Sequence, residues 1–66
     1  MYTYISNMTE YNNKLYHADY AYDHQDYATA GIYFLACLRY AEVHGLSSVS
    51  YLKTKVQDCK HNGFIG

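Results

Sequence analysis

Residues 27–38 carry no charge in a chain of only 66 residues. Wound as a helix, Ala28, Ala30, Gly31, Ile32, Tyr33, Phe34, Leu35, Ala36, Cys37 and Leu38 cover every side of the cylinder. A helix that is apolar all round is buried all round. The run falls short of the roughly 20 residues that span a bilayer, so no membrane role is expected and its cover must be protein. So short a chain hides only about 60% of the surface its extended form exposes. Two short neighbours do not readily wrap such a cylinder. Either the segment is sandwiched within one subunit or part of it faces a second copy, and the second is the expectation.

The rest of the chain divides around this segment. Period-two alternation never persists beyond a few residues, whereas helical spacing recurs three times, which predicts helices over about 10–23, 27–43 and 48–61. In the first, Thr9 is the expected cap, with Glu10 at the positive end of the dipole. Its apolar stripe is Tyr11, Leu15, Ala18 and Tyr22, and Tyr16 and Tyr20 form a second aromatic strip beside it. His24, Gln25 and Asp26 make a polar break in which Asp26 caps the next helix. His44, Gly45 and Leu46 read as a stop with glycine in the left-handed conformation. Ser47 or Ser48 then caps a third helix whose seam is Val49, Leu52, Val56 and Cys59, and Asn62, Gly63 and Phe64 repeat the stop. The expected fold class is all-α. An antiparallel helical hairpin and a third packing helix make one small domain over 1–66, with 1–8 free to act as a flexible arm.

Composition narrows the chemistry. Two cysteines, Cys37 and Cys59, are far below the density of secreted disulfide scaffolds, and no basic residue precedes a sustained apolar run at the N-terminus. Both point to a reducing, cytoplasmic setting. Five basic against six acidic residues give a formal charge of −1 and no overall pull toward polyanions. Ten of the 66 residues are tyrosine, with no tryptophan and two phenylalanines. Most aromatic bulk therefore carries a hydroxyl that needs water or a partner, which suits half-buried seams and interfaces.

No constellation favours catalysis. His17, Asp19, Asp23, His24 and Asp26 cluster near the end of the first helix, but the two histidines stand seven apart, and neither a cysteine pair nor a zinc-protease motif accompanies them. They read as a solvated acidic end, with no metal expected. Cys59, Lys60 and His61 are the nearest approach to an activated thiol, yet both cysteines fall on apolar faces, where a free thiol is a small hydrophobe. The four glycines are isolated, so no phosphate loop is present. Neither an enzyme nor a cofactor is expected.

Two local patterns resemble known families. Residues 40–52, with Ala41, Gly45, Leu46 and a serine opening the next helix, resemble the helix-turn-helix. That resemblance implies a third helix in the major groove, with Ser48, Ser50, Lys53 and Lys55 facing bases or phosphates. The motif's second helix, here 48–61, carries Tyr51, Leu52 and Thr54 around the family's midway apolar position, and the net charge is −1, both departures from the pattern. Ala18, then Asp26, Tyr27, Ala28, Thr29 and Ala30, then Phe34 and Cys37 resemble half of a tetratricopeptide hairpin. The first helix lacks that pattern's tryptophan or leucine positions, and no repeat follows. The resemblance implies close helix crossing of a kind that serves protein binding. In size and flavour the chain also resembles accessory proteins from the early regions of temperate bacteriophages, which implies a regulator acting on a host or phage protein in the host cytoplasm.

The functional expectation is a small non-catalytic interaction or regulatory module, homodimeric, working on another protein. Ile32, Leu35, Ala36 and Arg39 are the expected self-association residues, with Tyr16 and Tyr20 contributing. Such a dimer buries on the order of 1,200 Å² or more, and Leu35→Ala is expected to cost about 2–5 kcal/mol. The alternative is a DNA-binding regulator using helix 48–61.

Overall fold

A computed structural model describes residues 5–65. They form three α-helices, α1 (Met8–Asp23), α2 (Tyr27–His44) and α3 (Val49–His61), and no strand. Helix α2 is central and packs on both α1 and α3. Its 18 residues, at about 1.5 Å each, match the 28 Å long axis of the molecule. Tyr11 stacks on Tyr40 and Tyr22 meets Tyr27, so α1 and α2 run antiparallel. Tyr11 reaches Ser48 while Tyr22 reaches Asp58, so α1 and α3 run parallel.

The first helix begins two residues before the expected start. Asn7, not Thr9, is the cap, and its side chain accepts from the Glu10 backbone N–H at 2.9 Å. Glu10 in turn accepts from the Ser6 hydroxyl at 2.6 Å and the Ser6 N–H at 2.8 Å. This reciprocal pairing explains the correction. A carboxylate three residues after the cap satisfies donors on the preceding turn, which a cap at Thr9 would not allow. The Ser6 hydroxyl, then the Ser6 N–H, hold the Glu10 carboxyl below its ordinary value. Of the expected arm 1–8, residues 1–4 lie outside the described residues. Ile5 is buried in the core, Ser6 and Asn7 build the cap, and Met8 opens the helix.

All three helices end alike. The N–H five residues beyond a buried small side chain returns to that residue's carbonyl: Asp26 to Ala21 at 2.8 Å, Leu46 to Ala41 at 2.9 Å and Phe64 to Cys59 at 2.9 Å. Each return needs a residue of positive φ just before it, and Gln25 (63°), Gly45 (65°) and Gly63 (113°) supply it. The glycine stops read from the sequence hold at Gly45 and Gly63. Asp26 accepts from the Thr29 N–H at 3.3 Å, so the cap expected there holds as well.

The core is one cluster. Ala30, Phe34, Cys37 and Ala41 line the inner stripe of α2 against Ala18 and Tyr11 of α1 and Leu52, Val56 and Cys59 of α3. Beyond α3 the chain turns back. Phe64 is buried, its ring lying against the open side of Gly31, where any Cβ would collide with it. This returning ring is a third cover for α2.

Candidate functional site

The tyrosines divide into those that hold the bundle and those that do not. Phenol groups link helix α1 to helix α3 and its cap residue. Tyr11 Oη and Ser48 Oγ share a hydrogen bond of 2.6 Å, Tyr22 donates to Asp58 at 3.2 Å, and Tyr51 donates to Asp19 at 3.2 Å. The Lys55 ammonium lies 3.9 Å from the Tyr22 ring centre and 5.6 Å from that of Tyr51. Burial first, and then Asp58, pushes the Tyr22 phenol up; burial and then Asp19 do the same for Tyr51. Both stay protonated donors at neutral pH, so these bonds hold across the physiological range. Tyr33 and Tyr40 perform the equivalent task between α1 and α2, through His17, Lys14 and Tyr11.

Tyr16 and Tyr20 remain outside this scheme. They are 68% and 58% exposed, more than any other described tyrosine. Their ring contacts are with His17 and His24, on their own helix and its cap. Helical spacing puts them on the side of α1 opposite Tyr11 and Ala18, facing outward.

The other expected self-association residues lie elsewhere. Ile32 and Leu35 are half-buried and pack against the core, Ala36 is buried within the subunit, and Arg39 is exposed. They share the outer side of α2, so the six candidates fall on two separate faces and not on one. The cover that the apolar run of α2 was expected to lack comes largely from α1, α3 and Phe64. Sequence spacing shows that a helix is apolar all round, but not that a residue beyond the last helix returns to fill a notch at Gly31.

Helix α3 splits its four nucleic-acid candidates in two. Ser48 spends its hydroxyl on Tyr11, and Lys55 is half-buried over Tyr22. Ser50 and Lys53 face outward, together with Thr54, Gln57, Lys60 and His61. The Asp58 carboxylate is turned toward α1. The outer face of α3 thus holds basic and neutral polar groups. A helical wheel finds the apolar seam of α3, but only the tertiary arrangement decides which flank of that seam meets α1.

Both thiols are sealed in the core. Cys37 Sγ lies 3.8 Å from the Tyr11 carbonyl, and burial, then Asp19, push its pKa up to about 12, with Lys14 opposing. Burial and then Asp58 raise Cys59. A thiol so shifted has almost no nucleophilic thiolate at neutral pH. Among the described residues no group of three or more histidine, cysteine or carboxylate side chains is placed to hold a metal ion. Among the described residues no helix is long and apolar enough to cross a membrane. Comparison with protein-family models, with curated proteins and with solved structures finds no match.

Proposed function

We propose that this chain is a small non-catalytic helical module that acts in the cytoplasm by contact with another polypeptide, through the outer face of α1. The observation that carries this reading is the pair Tyr16 and Tyr20, more than half exposed while the other described tyrosines bind within the bundle. Tyrosine offers a large, stiff, amphipathic contact area and is enriched where protein partners meet. The raised thiols support the non-catalytic part, and free buried cysteines fit a reducing compartment. A regulator of host or phage proteins, in the manner of small bacteriophage accessory proteins, is a role of this kind. A second copy is the first partner to consider, with Tyr16 and Tyr20 at the contact.

The test is site-specific photocrosslinking in the native cells. A benzophenone side chain placed at position 16 or 20 is expected to give a discrete protein adduct, whose mass identifies either a second copy or a different chain. The same probe at Lys60, on the far side of α3, is expected to give none. Diffuse or equal adducts from all three positions would remove the reading.

A second reading, duplex binding through α3, is favoured by Lys53 and Lys60 standing outward with Gln57 between them and Ser50 one turn before. It keeps Ser50 and Lys53 of the expected contacts and gives up Ser48 and Lys55. Two neutralised phosphates predict a slope of about −2 for log affinity against log salt. A shift assay at low salt without retention excludes it.

A further inference from the structure

Building on the reading that the outer face of α1 is a protein contact, we infer that the partner presents arginine or lysine side chains, received where Asp19 of α1 is bonded to Tyr51 of α3, with Asp23, Tyr16 and Tyr20 on the same outward side of α1. Three observations converge there. First, Tyr51 is bound to Asp19 through its hydroxyl, yet the residue is 47% exposed, so with Tyr16 and Tyr20 it supplies three of the six exposed large apolar side chains described. Second, charge is segregated along the molecule. Helix α1 and its turn carry Glu10, Asp19, Asp23 and Asp26 against Lys14 alone, while α3 carries Lys53, Lys55 and Lys60 against Asp58. Asp23 stands near enough to act on the Tyr51 phenol, after burial and Asp19.

Third, the seam already binds one cation of its own. Lys55 lies over the Tyr22 ring at 3.9 Å, its ammonium also 5.6 Å from Tyr51, and Asp58 accepts from Tyr22 beside it. Tyrosine faces bordered by carboxylates attract ammonium and guanidinium groups, and guanidinium more readily because it stacks and is less strongly hydrated. The exposed Tyr51, with Asp19 on its hydroxyl and Asp23 near enough to act on it, offers the same combination of ring and carboxylate on the solvent side. Helix α1 places Tyr16, Tyr20 and Asp23 at spacings of four and three, one outward stripe that a basic helix laid along α1 would follow. The occupant is a basic helical segment of another protein.

The experiment is an NMR titration of the isotope-labelled chain with two synthetic helical peptides. One carries arginine at positions i, i+4 and i+7, and the other carries neutral citrulline at the same places. The arginine peptide is expected to shift the amide signals of residues 16–23 and 50–55, and to bind severalfold more weakly when salt rises from roughly 0.01 to 0.1 M, as the Debye length falls from about 30 to 10 Å. Asp23→Asn together with Asp19→Asn, which can still accept from Tyr51, is expected to weaken binding about tenfold, or about 1.4 kcal/mol. Lys53→Gln with Lys60→Gln is expected to leave it unchanged. Equal binding of the two peptides overturns the cationic preference while leaving α1 as a contact face. Arginine-dependent shifts confined to other surfaces, or no shifts from either peptide, overturn this site; the crosslinking at positions 16 and 20 then decides the broader reading separately.

Discussion

Gln25 holds a backbone conformation that glycine takes at the two equivalent positions. With φ of 63° it closes α1 as Gly45, at 65°, closes α2. A side chain in the left-handed region costs roughly 1 kcal/mol, and Gln25 is exposed, with no side-chain hydrogen bond to lose. Gln25→Gly is therefore expected to stabilise the fold by about 0.5–1 kcal/mol in urea titration, less whatever entropy the unfolded chain gains. A loss of stability would contradict the left-handed assignment. Gly31 behaves in the opposite way. It lies inside a helix, where Ala normally gains close to 1 kcal/mol, but its Cβ position is taken by the Phe64 ring. Gly31→Ala is expected to destabilise by about 1–3 kcal/mol, the usual cost of overpacking. In a Phe64→Ala background the same change becomes neutral or favourable. Additive effects of the two substitutions would show that the ring does not occupy the notch.

Burial sorts the residues of each helix by what their loss would cost. Phe34 and Leu52 are fully buried, one on α2 and one on α3. Leu52→Ala is expected to cost about 2–5 kcal/mol by lost transfer and cavity. Leu35, only half-buried, falls below that range, toward about 1–2 kcal/mol, since side chains that keep part of their contact with water lose less on truncation. Denaturant midpoints of the two variants check the order, and Leu35 costing as much as Leu52 would mean that a second chain covers it. The pairing of α1 with α3 includes side-chain hydrogen bonds beside the shared apolar core. A double-mutant cycle on Tyr11→Phe and Ser48→Ala is expected to show a coupling of about 0.5–1.5 kcal/mol for their half-buried hydrogen bond. Zero coupling would leave the tyrosine bridges without an energetic role.

For the molecule as a whole, stability is expected to change with pH at the alkaline end. Cys37 is raised from 9.0 to about 12, and Tyr22, Tyr51 and Cys59 are also raised. Above pH 9.0 the unfolded chain releases protons that the folded chain keeps. Stability is thus complete below the unfolded values and falls as pH rises from 9.0 toward 12, by at most about 1.4 kcal/mol per pH unit for Cys37. Cys37→Ala should flatten that slope in calorimetry, and an unchanged slope would place the thiol in water. The three helices, two of the three stops and the Asp26 cap were legible in the sequence, because they depend on neighbours within five residues. The α1 start differs from the expected cap at Thr9, because the observed cap at Asn7 depends on the Glu10 side chain turning back to Ser6, a contact that local spacing does not reveal. The candidate site was legible only in part. Tyr16 and Tyr20 stand out by spacing, but Tyr51, Asp19 and Asp23 join them only through the parallel packing of α1 on α3. Local hydrogen bonding and apolar period determined the elements from the sequence alone. The cover of α2 by Phe64, the inward turn of Ser48 and Lys55, and the seam between α1 and α3 were decided by the tertiary structure, because they depend on side chains tens of residues apart meeting around a common core.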